Sequence, residues 1–186
     1  MQGFSFEDGL FSGIKIVHPF CLEDKRGNFI KDYSEAIFQT NGLDHAVKEI
    51  FYAKSQKNVI RGMHFIAPEL QAKLIRVLYG RIFDVVVDLR RGSKTFGQWK
   101  SIELSEEGLT ALLLPGGFAH GYLTLTDAMV SYQCNTNYQP SYDHGILWND
   151  FALRIEWPVA RENLIVSEKD MKNMSFEQFQ REFGGL

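Results

Sequence analysis

His64 is the residue whose type and setting most directly suggest chemistry in this 186-residue chain. It lies in the strand-like run Val59-Ile60-Arg61-Gly62-Met63-His64-Phe65-Ile66. Side chains alternate along a strand, so Ile60, Gly62, His64 and Ile66 share one face. An imidazole there can exchange a proton near neutral pH, or it can be a satisfied core histidine. Arg61 points to the opposite face of a regular strand. For Arg61 and His64 to line one pocket, Gly62 must mark a bulge or twist. Lys73 stands in line with Ile75, Val77 and Tyr79. Its ammonium must reach water or bind an anion, because burying it alone is costly; an exposed strand end satisfies the same condition. Asp84 and Asp88 share a strand face with Ile82 and Val86, either as edge charges or as carboxylates that orient a histidine. Tyr132 and Tyr138 can pack, donate a proton or stack on a base. The spacing Ser167-x-x-Asp170 reads as a helix capping box, and an acid there also suits the positive end of a helix.

The run Pro115-Gly116-Gly117-Phe118-Ala119-His120 carries the pattern P-x-G-x-x-H, which resembles the second motif of cupins, where the histidine often binds a metal. The first cupin motif carries H-x-H followed by Glu. Here it reads His64-Phe65-Ile66, so its second histidine is missing. Catalytic metal sites mostly use three protein ligands, and His120 is then free to act as a hydrogen-bond donor. Cys21 and Cys134 form no metal-ligand spacing and are expected as reduced thiols.

The elements that must position these residues are short and β-like from Ile14 to Trp157. Leu74–Tyr79 and Ile82–Leu89 flank Gly80-Arg81, which reads as a tight hairpin. Thr110–Leu114 is a strand stopped by Pro115-Gly116-Gly117. Gly121–Leu125 and Ala128–Cys134 form a second expected pair around Thr126-Asp127. Such spacing suggests a sandwich, jelly roll or small barrel. Helices are expected at the periphery: Ser34–Thr40, a turn beginning at Ser167, and Phe176–Phe183. For the last, Ser175 and Gln178 make a capping box, Gly184 is the stop, and Phe176, Phe179 and Phe183 form the apolar face. Fifteen Phe and seven Tyr in a chain that is 45% hydrophobic fit this β-rich reading. A net charge of -3, with acids and bases interspersed, gives no bulk attraction for nucleic acid. No stretch approaches the roughly 20 apolar residues of a membrane helix. The start, MQGFSFEDGLF, lacks the features of a secretory signal, so a cytoplasmic protein is expected.

Taken together, DKRGNF, VIRGMHF, QAKLIRVLYGRIFDVVVDLRRGSKTFGQW, LLLPGGFAHGYLTL, the Tyr132 strand, ILWND, IEWP and SEKD resemble the dTDP-4-dehydrorhamnose 3,5-epimerase family. They follow family order from Asp24 to Asp170. The resemblance implies a mainly β, cupin-type jelly-roll barrel with peripheral helices, forming one domain over residues 1–186. It implies a homodimer that exchanges the strand region 1–20, a helical region over 167–186, a nucleotide-linked 4-keto sugar as substrate, and neither metal nor cofactor. His64 matches the family's base, Asp170 its partner and Tyr132 its general acid. Lys73 and His120 match residues around the keto oxygen. Arg26 and Arg61 match contacts to the nucleotide-sugar, including its diphosphate. Phe29, Glu49, Tyr138 and Asp143 fall at further substrate-binding positions, and Asp84 falls at a position that supports the site. The chemistry accounts for this set. A C4 ketone acidifies the protons at C3 and C5, so a base of near-neutral pKa can form an enolate. A carboxylate fixes its tautomer, cations stabilise the oxygen, and an acid on the other face completes inversion. Arginine forks suit a diphosphate.

Three departures bear on the substrate. The family's Gln-x-Asn-x-Ser-x-Ser run reads Glu49-Ile50-Phe51-Tyr52-Ala53-Lys54-Ser55. The acid two residues after the Phe of D-x-R-G-x-F is Lys31. A glutamate position is Asp143. They leave open an epimerase acting at C3 alone, or on a CDP-, GDP- or UDP-linked sugar. The single-histidine cupin motif leaves open a non-catalytic or metal-dependent cupin.

Overall fold

The computed structural model describes residues 3–186; the first two residues of the 1–20 region lie outside the described residues. The chain runs through β1 (Ser5–Asp8), β2 (Lys15–His18), β3 (Phe20–Asp24), β4 (Gly27–Lys31), α1 (Glu35–Thr40), β5 (Glu49–Ser55) and β6 (Val59–Ile66). It continues through β7 (Lys73–Tyr79), β8 (Arg81–Asp88), β9 (Trp99–Ser105), β10 (Ala111–Leu114), β11 (Phe118–Thr124) and β12 (Ala128–Cys134). Last come β13 (Asp143–Gly145), β14 (Ile165–Val166), α2 (Glu168–Met171) and α3 (Phe176–Glu182). One sheet has the order β1-β2-β10-β7-β12-β5, and the other β13-β6-β11-β8-β9, with β14 added to β6; β3 and β4 pair separately. This mainly β architecture fits the cupin jelly roll.

Both sheets bury both faces. Between them lie Ile75, Val77, Ile82, Val86, Leu112, Tyr122 and Val130. The outer face of the second sheet presents Phe65, Val85 and Val87 to Phe176 and Phe179 of α3. The outer face of the first presents Val17, Leu74 and Leu113 to Phe38 of α1. Two-sided burial explains why β8 reads Ile-Phe-Asp-Val-Val-Val, an almost continuous apolar run instead of an alternating one. α3 begins where expected, with Ser175 Oγ accepting from Gln178 N. The Gln178 side chain turns instead to Glu182, so only half of the capping box forms. Phe179 is fully buried, which stabilises by about 2–3 kcal/mol relative to exposure.

The expected hairpins are the clearest correction. β7 pairs with β10 and β12, whereas β8 pairs with β9 and β11. Gly80 is therefore a corner between sheets, not a hairpin turn. Thr126-Asp127 likewise joins β11 of one sheet to β12 of the other. The two corners pack together: Arg81 N donates to Thr126 Oγ1 and Leu125 N to Arg81 O. A Cβ on Gly80 would come within 2.0 Å of the Asp127 carbonyl oxygen, and its φ is +75°, so glycine is required there. A turn signal specifies a reversal, but not which sheet receives the departing strand. Smaller shifts occur at ends: β7 begins at Lys73, β10 at Ala111 and β11 at Phe118. Cys21 and Cys134 are both free.

Candidate active site

Gly62 resolves the problem of Arg61 and His64. In the β6–β11 ladder Arg61 pairs with Tyr122 and His64 with His120, so three steps on β6 oppose two on β11. This bulge reverses the alternation and turns both side chains into one cleft. Gly62 has φ +134°, and a Cβ there would meet the Gly121 Cα at 2.5 Å. Two glycines in contact thus let the strands approach where the bulge forms.

The cleft has a volume of about 510 Å³. Its lining includes Phe51, Tyr52, Lys54, Arg61, His64, Gln71, Lys73, His120, Tyr132, Tyr138 and Asp143. Among the described residues a larger, shallower hollow of about 730 Å³ lies between residues 9–12 and 90–95. It has no histidine in its wall, so proton-transfer chemistry belongs to the smaller cleft.

His64 Nε2 lies 2.6 Å from Asp170 Oδ1. An ionised carboxylate can only accept, so Nε2 carries the proton, and in the neutral imidazole the lone pair lies on Nδ1. The two readings of Asp170 prove compatible. Its backbone N–H donates to Ser167 Oγ at the start of α2, while its side chain serves His64. Burial alone would raise the Asp170 carboxyl pKa. The bond and charge of His64, with the Gly62 N–H and Ser167, outweigh burial and hold it below the ordinary value.

A second histidine–carboxylate pair lies beside the first. His120 Nε2 is 2.7 Å from Asp84 Oδ2, and both residues are buried. Burial pushes the Asp84 carboxyl up, against the opposing pull of His120. Tyr132 stacks on Phe51 at 4.8 Å between ring centroids and meets His120 edge-on at 6.0 Å. Burial, with Tyr122 and Asp84 nearby, holds its phenol well above the usual tyrosine range, so it keeps its proton. Burial lowers the Lys73 ammonium, against the stabilising pull of Cys134 and Asp143. Arg61 Nε donates to Ser55 Oγ at 2.9 Å, which fixes the guanidinium.

Other expected residues have different placements. Asp143 Oδ2 accepts from Tyr138 Oη at 3.0 Å and from Lys169 Nζ at 2.5 Å. Burial would raise its carboxyl, but Lys169 and His64 lower it on balance. Glu49 does not line the cleft; its Oε2 accepts from Tyr138 N at 2.7 Å and anchors that wall. Arg26 and Phe29 stand apart on the β3–β4 hairpin. Arg26 pairs with Asp24 at 2.6 Å, and Phe29 is 61% exposed. Lys169, Gln71 and Lys54 are not among the residues singled out from sequence. Lys169 lies inside the SEKD motif beside Asp170, which was its available signal. Among the described residues no group of three His, Cys, Asp or Glu side chains is arranged to hold a metal. None of the helices described is long and apolar enough to cross a membrane.

Fold and cleft together define a cupin-type jelly-roll protein with two histidine–carboxylate pairs opening on one polar cavity. The sequence profile of dTDP-4-dehydrorhamnose 3,5-epimerase matches residues 10–178. The enzyme of that name from Methanothermobacter thermautotrophicus is 43% identical over 172 residues, covering 91% of this chain and 93% of its own. The crystal structure of a dTDP-6-deoxy-D-glucose-3,5-epimerase from Legionella pneumophila, in complex with dTDP-4-keto-L-rhamnose, superposes with a TM-score of 0.91. It is 32% identical, with 97% of this chain and 96% of that chain covered. A 3'-monoepimerase from Streptomyces bikiniensis, in complex with dTDP-quinovose, gives a TM-score of 0.83 and 32% identity over 91% of this chain and 86% of that one. The chain belongs to the dTDP-4-dehydrorhamnose 3,5-epimerase family, and it is an isomerase instead of a non-catalytic cupin.

Proposed function

We propose that the chain inverts C3 and C5 of dTDP-4-dehydro-6-deoxyglucose to give dTDP-4-dehydrorhamnose. The observation that carries this reading is the His64–Asp170 pair. It leaves Nδ1 as an oriented base in a cleft shared with Lys73, His120 and Tyr132. His64 removes the proton beside the C4 ketone. Asp170 stabilises the resulting imidazolium. Lys73 and His120 stabilise the enolate oxygen, and Tyr132 returns a proton from the other face. Arg61 and Lys54 give the cleft the charge a diphosphate needs. In deuterated water the dTDP-4-keto sugar should gain deuterium at C3 and C5 as it becomes the rhamnose epimer. His64→Asn should lower that rate by about 10³-fold, within the range of general acid–base catalysis. Exchange at neither carbon with folded protein would overturn the reading.

A second reading, epimerisation at C3 alone, is favoured by the similarity to a 3'-monoepimerase. Its mark is deuterium at C3 without deuterium at C5.

The proposal includes a homodimer that exchanges residues 1–20. The two-stranded β3–β4 sheet supports the dimer, because an isolated hairpin is marginal in water and this one exposes Leu22 and Phe29; the exchange of residues 1–20 rests on the family resemblance alone, since β2 pairs with β10 of its own chain. Arg26 and Phe29 would then serve the cleft of a second copy. Sedimentation should give twice the 21.4 kDa chain mass, and Arg26→Ala should raise KM more than it lowers kcat. A monomer with full activity contradicts this assembly.

A further inference from the structure

Phe51 and Tyr132 face each other in direct register across the β5–β12 ladder. Their rings are 17° from parallel at a centroid distance of 4.8 Å. His120 meets the same phenol ring edge-on, at 75°. Tyr132 is 7% exposed and Phe51 38%, so Phe51 is the ring nearer solvent. It stands on β5, the last strand of its sheet. Phe51 has no group that can move a proton. A tyrosine has only two side-chain torsions to fix, and an aromatic face against it restricts both.

We propose that Phe51 is a positioning residue that holds the Tyr132 phenol where it protonates the enolate, and so sets the fraction of enolates that invert. This rests on the proton-transfer reading above. His64 Nδ1 takes the carbon-bound proton, the C–H pair enters the new C=C bond, and the carbonyl π pair moves to oxygen. Return of a proton from His64 restores the original centre, and it carries solvent label once the imidazolium has exchanged with water. Delivery from Tyr132 to the opposite face forms the inverted C–H bond as the enolate collapses to the ketone. The phenolate left on Tyr132 regains a proton from water and the His64 imidazolium gives its proton up to water, so both groups return to their starting states. Misplacing the acid therefore changes the partition after proton removal, whereas removal itself depends on His64.

The test separates exchange from inversion. Wild type, Phe51→Leu and Phe51→Tyr are incubated with dTDP-4-dehydro-6-deoxyglucose in deuterated water, and proton NMR follows label in retained and inverted sugar. For Phe51→Leu, total label uptake should stay within about threefold of wild type. Inversion per exchange event should fall by about 10-fold or more, because a shift of about 1 Å in a catalytic group can cost about 10²-fold. Phe51→Tyr, which keeps the stacked ring, should preserve the wild-type ratio. An unchanged ratio in Phe51→Leu, a parallel fall in exchange and inversion, or an equal loss of ratio in Phe51→Tyr overturns the proposal. Wild-type protein that exchanges at neither carbon overturns the proton-transfer reading instead.

Discussion

Asp84 and Asp88 stand four residues apart on β8, both with no solvent exposure, yet their carboxyls are driven in opposite directions. Asp88 lies at the end of its strand and gathers five donors. These are the Arg90 N–H, Arg90 Nε and Nη2, Ser93 Oγ and Thr95 Oγ1. Burial opposes ionisation, but those donors overcome it and hold the carboxyl far below the usual range. Asp84 lies mid-strand beside the cleft with His120 Nε2 as its partner. Its Oδ1 meets no donor among the described residues, and burial raises its carboxyl. The same side chain, without solvent exposure in both places, is thus a fastener at one end of the strand and an adjustable group in the middle. Asp84 meets fewer donors and is more deeply desolvated, and both differences separate the two roles.

Substitution at each position should break the contrast in a different observable. Asp88→Asn leaves Arg90 without its carboxylate, and urea unfolding should show a loss of about 3 kcal/mol with kcat little changed. Asp84→Asn should instead lower kcat by about 10²-fold, the scale of losing one charge-stabilising contact, with a smaller change in stability. The pH dependence should differ in sign. The folded pKa of Asp88 is depressed, so its advantage over Asp88→Asn is full above the unfolded value near pH 4 and shrinks as pH falls. The folded pKa of Asp84 is raised, so wild type loses stability relative to Asp84→Asn as pH climbs above that value. Thermal or urea unfolding of both pairs across pH 3–7 checks this, and parallel slopes would remove the distinction. The smallest effect is expected for Thr95→Ala. It removes one of the five donors and should cost about 1.5 kcal/mol without altering turnover.

The strand face shared by Ile82, Asp84, Val86 and Asp88 is legible in the sequence because alternation depends on nothing beyond the strand itself. The different fates of its two acids are not, since Ser93, Thr95 and His120 reach them through tertiary folding. The same division holds elsewhere. Gly62 is readable as a bulge because Arg61 and His64 cannot otherwise meet. α3 is readable from Ser175 and its phenylalanine spacing. Gly80-Arg81 and Thr126-Asp127 mislead because a local reversal serves a hairpin and a sheet-to-sheet corner equally well. In the site, motif order brings out His64, Lys73, His120 and Tyr132. It does not reveal that Glu49 braces a wall or that Lys169 fastens Asp143. Nor does it reveal that Arg26 and Phe29 lie outside the cleft of their own chain.

The two corners also govern the order in which the protein can assemble during synthesis. Once Gly80 sends β8 away from β7, β7 must wait for β10 before it has any neighbour in its sheet, and for β12 before it has both. His64 waits longer still, for an aspartate 106 residues further along. Long-range pairing of this kind slows folding, because loop closure precedes the contacts that reward it. A growing chain therefore cannot acquire its proton-transfer centre in stages: until Asp170 has left the ribosome and docked, the imidazole has no partner to orient it.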